Sequence, residues 1–105
     1  MLTENNLILT RTDPQGNGGT QFIYRIKNYG LVVASRPEED ISQIHWELDV
    51  IKYKGENSLD YEICHNTELA GKTLVFHNDK SLNEFLVRAF GYFKELSLLD
   101  EMLHK

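Results

Sequence analysis

Between Ser81 and Leu103, apolar side chains recur at Leu82, Phe85, Leu86, Ala89, Phe90, Phe93 and Leu96. These spacings put every one of them on a single broad stripe of a helix with 3.6 residues per turn. Burying large side chains of this kind is worth roughly 1.5–3 kcal/mol each, on the order of 10 kcal/mol for the stripe. A helix alone in water gains almost none of it. The preceding chain must therefore supply an apolar surface for the stripe to cover.

The helix has a start signal and an uncertain end. Ser81 and Glu84 have the spacing of a capping box, in which the Ser81 hydroxyl accepts from the Glu84 N–H and the Glu84 carboxylate reaches back to the Ser81 N–H. Past Leu96 the pattern changes. Asp100 falls where the stripe would continue, and the apolar residues move round to Leu99, Met102 and Leu103. Ser97 followed by Asp100 and Glu101 resembles a second helix start. A break or a frayed end is expected near Ser97, with a tail that contacts a second subunit as the alternative.

The partner surface is a set of strands. Leu7–Thr12 is a short strand, and 13–19, with three glycines, is a turn. That glycine-rich segment matches neither the dinucleotide nor the nucleotide-triphosphate loop pattern. Gln21–Lys27 alternates, with Phe22, Tyr24 and Ile26 on one face. Asn28-Tyr29-Gly30 is a turn, and Leu31–Ser35 is an apolar central strand. A charged loop follows at 36–40. Ile44–Tyr53 sets Ile44, Trp46, Leu48 and Val50 against His45, Glu47 and Asp49. After a turn around Gly55-Glu56, Leu59, Tyr61 and Ile63 alternate with Asp60, Glu62 and Cys64. Asn66–Gly71 is a loop and Lys72–His77 the last strand. Short turns between alternating strands predict an antiparallel meander of about six strands, flat or curled toward a half-barrel. The C-terminal helix should cover the face bearing Phe22, Tyr24, Trp46, Leu48 and Tyr61. The expectation is one α+β domain over residues 1–105.

This order of elements resembles the pleckstrin-homology-like barrels, at the level of fold alone. The basic residues with which such barrels hold phosphoinositides are missing from the first loop.

Charge and cysteine content exclude several functions. The 105 residues carry 16 acidic and 11 basic side chains, a net −5. That is the wrong sign for nucleic acid or an anionic membrane, and it favours a basic partner. Cys64 is the single cysteine, so no intrachain disulfide forms. The first residues have no basic region followed by an apolar run, and no stretch approaches the ~20 apolar residues that span a bilayer. A cytoplasmic location is the expectation. No motif implies a cofactor.

One constellation carries a functional expectation. Trp46, Leu48 and Val50 should share a face with Leu59, Tyr61 and Ile63, and every plausible hairpin register then gathers Glu47, Asp49, Asp60 and Glu62 on the face away from the helix. Like charges directly opposite on a sheet are unfavourable by a few tenths to about 1 kcal/mol. Arg25 and Lys27 on that face, or solvent, offset the cost in one reading; a basic partner does so in the other. His45 and His77 fall on the same face and are weak metal candidates, without any ligand spacing that specifies a metal. His65 reads as a core or rim residue opposite Trp46. Cys64 and His65 point to opposite faces and cannot act as a pair, although His77 could reach Cys64 from the neighbouring strand.

The primary expectation is a non-catalytic interaction module, like a small acidic inhibitor, immunity protein or adaptor, that offers Glu47, Asp49, Asp60 and Glu62 to a basic protein. The alternative is a small-molecule or metal site on the open face or between sheet and helix, using His45, Glu47, Glu62 and His77. Ile23, Ile51 and Val75 on the polar face suggest a homodimer surface as a third course.

Overall fold

The computed structural model describes residues 2–12, 19–37, 44–65 and 71–103. The expected turn at 13–18 and loops at 38–40 and 66–70 lie outside the described residues. Six strands precede one helix: β1 (Leu7–Thr12), β2 (Thr20–Ile26), β3 (Tyr29–Pro37), β4 (Ile44–Tyr53), β5 (Tyr61–Ile63), β6 (Leu74–Phe76) and α1 (Asp79–Leu103). The strands form one antiparallel sheet in the order β1-β2-β3-β4-β5, with β6 also on β4. The sheet is open, and the expected meander with a C-terminal helix on one face is what forms.

Strand β4 organises the outer edge. Its C-terminal half pairs with β5 (Ile51 opposite Ile63, Tyr53 opposite Tyr61) and its N-terminal half with β6 (Trp46 opposite Phe76, Leu48 opposite Leu74). Partner numbers total 114 in the first case and 122 in the second, so the chain makes an excursion of eight residues and returns to the same edge. Both totals are even, and the alternation of side chains is the same in both halves. In effect, β5 and β6 are two segments of one edge on β4.

The helix lies where the sequence requires. Leu82, Phe85, Leu86, Ala89 and Phe93 are buried with Tyr24, Leu31, Val33, Trp46, Leu48 and Val50, while Phe90 and Leu96 pack at the margin. Aromatic rings key the layers together: Phe93 stacks on Tyr29 at 5.3 Å, and Phe85 meets Phe76 at 5.3 Å. Trp46 Nε1 donates to Asp79 Oδ1 at 2.9 Å, which ties β4 to the first turn of α1.

Three local expectations are corrected. The helix begins at Asp79, and its cap is Asn78, whose Oδ1 accepts from the Ser81 N–H at 2.8 Å; Ser81 is thus the third residue of the first turn and not the cap. No break occurs at Ser97, which is buried at 4% exposure within a helix continuous to Leu103. Asp100 does not end the stripe either, because Tyr29 Oη donates to its Oδ2 at 3.4 Å and Lys27 Nζ pairs with Glu101 at 3.2 Å. The β2–β3 turn is Lys27-Asn28, with Lys27 at φ 58°, and Tyr29 and Gly30 already belong to β3.

Buried phenols give the fold an alkaline limit. Burial, helped by the Glu4 charge, pushes Tyr24 up to about 12 from 10.0. Burial and then Asp100 raise Tyr29, and burial raises Tyr53 against the lowering effect of Arg25. A phenol whose folded pKa lies above its unfolded value contributes stability fully present below the unfolded pKa and lost as pH rises through the folded one. Denaturation midpoints should therefore hold to about pH 9 and fall by about pH 11. A midpoint unchanged across that window would contradict the burial of these hydroxyls.

Candidate functional site

The helix covers one face of the sheet and leaves the other open. Cross-strand registers fix what that face presents. Arg36 stands opposite His45; Gln21, Ala34, Glu47 and Val75 form the next row; Ile23, Val32 and Asp49 the third; and Arg25, Gly30, Ile51 and Ile63 the fourth. Polar side chains thus occupy one end and apolar ones the other.

The apolar end is a second, smaller core. Ile23, Ile51 and Tyr53 are buried there, with Leu9, Val32 and Tyr61 packed against them. Arg25 closes it, its guanidinium 4.0 Å from the centre of the Tyr53 ring. The same side chain donates to the carbonyls of Lys27 (2.7 Å), Gly55 (2.7 Å) and Glu56 (2.9 Å) and to Ser58 Oγ (3.1 Å). Arg25 is therefore committed to holding the β4–β5 turn, and it does not neutralise the carboxylates of the polar end.

This second core overturns the expected hairpin register. Tyr61 and Ile63 join Ile51 and Tyr53 on the open face, so Tyr61 is not under the helix. The one-residue difference sends Glu62 to the helix side of the sheet, directly opposite Lys52. Asp60 lies in the turn, its N–H on the Asn57 carbonyl at 3.0 Å. Of the four expected carboxylates, only Glu47 and Asp49 share the open face. The physical reason is in β4 itself. After Val50, which faces the helix, Ile51 and Tyr53 put apolar surface on the other side, and only Tyr61 and Ile63 can cover it.

Glu47 and Asp49 are both held by neighbours. Glu47 Oε1 lies 3.3 Å from His45 Nε2 and its Oε2 3.7 Å from Arg36 Nε. Asp49 Oδ1 accepts from the Thr73 hydroxyl and lies 3.5 Å from His65 Nε2. His65 is therefore an exposed residue beside Asp49, not a core residue against Trp46. Between the carboxylates and the second core is a depression of about 210 Å³, floored by Val32, Ala34 and Ile51 and walled by Gln21, Arg36, Glu47, Asp49, Tyr61 and Ile63. Exposed Ile63 and Val75 stand beside it on the edge strand. Gln21, Ala34, Arg36 and Thr73 were not singled out from sequence. Ala34 had one signal, as the small residue in an otherwise bulky apolar strand.

The other candidates are distributed differently. His45 and His77 do share the open face, with ring centres 6.3 Å apart. Glu62 is on the opposite side, so the foursome His45, Glu47, Glu62 and His77 is divided by the sheet. Among the described residues no group of three or more His, Cys, Asp or Glu side chains is gathered for a metal ion. Cys64 packs against the helix-side core, and the sheet separates it from His77. Ile23 and Ile51 are fully buried and offer no surface to a second subunit, whereas Val75 is 51% exposed.

No family model, curated protein or solved structure matches this chain. Among the described residues no helix is long and apolar enough to cross a membrane.

Proposed function

We propose that this domain is a non-catalytic interaction module that docks a basic protein partner on its open sheet face. The observation that carries this reading is the depression beside Glu47 and Asp49, on the one face that no element of the described chain covers. Its roughly 210 Å³ is below the ~300–1,000 Å³ common for metabolite pockets and suits a single side chain of a partner. Exposed Ile63 and Val75 beside it supply the apolar contact that charged recognition alone lacks.

Glu47 and Asp49 carry the proposal, and Asp60 and Glu62, which lie off this face, become internal controls. In affinity capture from source-cell lysate, Glu47→Lys/Asp49→Lys should lose a partner that wild type and Asp60→Lys/Glu62→Lys both retain. Truncating one side of a desolvated charge pair costs about 2–5 kcal/mol, and reversal more, so the loss should be complete at working concentrations. Retention by the first double variant, at unchanged melting temperature, would remove the docking reading.

A further inference from the structure

The depression has a property beyond its carboxylates. Gln21 is 9% exposed and lines it. Arg11 Nε reaches Gln21 at 2.6 Å. An arginine nitrogen only donates, so the atom it meets is the amide oxygen and the amide nitrogen is the other end. That nitrogen makes no hydrogen bond among the described residues. It is not one of the buried unpaired atoms, so solvent in the depression reaches it, and it is a donor that an incoming acceptor can meet. On the opposite wall, Asp49 spends Oδ1 on Thr73 and His65 and keeps Oδ2 without a partner among the described residues. The cavity therefore offers a donor at one side and a carboxylate oxygen at the other, with an apolar middle over Ala34 and Ile51.

From this arrangement, and resting on the docking face proposed above, we infer that the cavity is the seat of one arginine of the partner. Its methylene stem lies over Ala34, Ile51 and Ile63, its guanidinium faces Asp49 and Glu47, and a carbonyl of the partner's own backbone accepts from Gln21. Arginine is favoured over lysine by spacing. Residues two apart on a strand are about 6.8 Å apart along it, and a planar fork of five donors bridges such a pair where a compact ammonium serves one acceptor at a time. His45 and Arg36 already stand against the two oxygens of Glu47, at 3.3 and 3.7 Å, which leaves Asp49 as the main anchor.

The test uses acetyl-Gly-Arg-Gly-amide and its citrulline counterpart, which has the same shape without the charge, titrated into the full chain and followed by amide NMR shifts. The arginine peptide should give saturable shifts at Ala34, Glu47 and Asp49, and the citrulline peptide should bind at least about tenfold more weakly. Ala34→Leu fills the floor without changing charge and should abolish saturation, while Gln21→Leu should weaken it. Equal binding of the citrulline peptide, unchanged binding by Ala34→Leu, or no saturable shift would each overturn the inference. In the capture experiment, a partner lost by Glu47→Lys/Asp49→Lys but kept by Ala34→Leu would preserve the docking face and overturn the arginine seat. Loss in both, with melting temperatures unchanged, supports both.

Discussion

Phe93→Ala should cost about 3–5 kcal/mol of stability, read as a lower urea midpoint at unchanged slope. Phe93 is fully buried within the helix stripe and stacks on Tyr29 with ring planes 9° apart. Its removal leaves a cavity that neighbours fixed from both layers cannot fill: Tyr29 is held through Asp100, and Leu31 and Val50 are paired in the ladder. Small domains have about 5–15 kcal/mol in total, so the variant approaches the unfolding threshold. A cost under about 1 kcal/mol would mean that the helix is not seated on the sheet through this residue.

Gly30→Ala is the second large effect, and it acts through the opposite face. Gly30 lies in β3 between Arg25 and Ile51, and the Tyr53 ring rests over it. An added Cβ would stand 3.1 Å from Tyr53 Cε2 and 3.2 Å from Ile51 Cγ1, and closer still to the Tyr24 carbonyl oxygen. The aromatic ring could lift away, but the Tyr24 carbonyl is part of the β2 backbone and cannot yield without disturbing the ladder. Overpacking of this kind costs about 1–3 kcal/mol, occasionally more. The second core should loosen with it, which amide exchange at Ile51 and Tyr53 would report. Wild-type stability and protection in this variant would contradict the close approach.

How far the sequence foretold this molecule depends on whether a pattern had one face to choose or two. The helix stripe was legible because its seven apolar residues leave a single orientation that covers them, and the helix does bury five of them against β2, β3 and β4, with Phe90 and Leu96 at the margin. Strands β1 and β4 were legible to the residue. The β4–β5 register was not, since alternation in Tyr61 and Ile63 says that these side chains share a face but not which face. Trp46, Leu48 and Val50 invited one answer; Ile51 and Tyr53, on the other parity, supplied the other. That one step dispersed the carboxylate cluster. The depression was out of reach for a related reason, because Gln21, Ala34 and Glu47 come from three strands and meet only once both registers are known.

The two-segment edge on β4 has a consequence for how this chain tolerates change. Cys64 donates its N–H to the Val50 carbonyl and Thr73 bonds Asp49, so the excursion leaves and rejoins β4 at adjacent residues. Each half of the edge is registered by its own apolar pairs, and neither half measures the length of chain between them. Residues can be added or removed between 65 and 72, in odd or even number, without reversing which side chains of β6 face the helix. Closing a loop twice as long costs only about 0.6 kcal/mol. The junction between β5 and β6 is thus a position in the sequence where a peptide, a reporter or a second recognition segment can be spliced in while the sheet keeps its register.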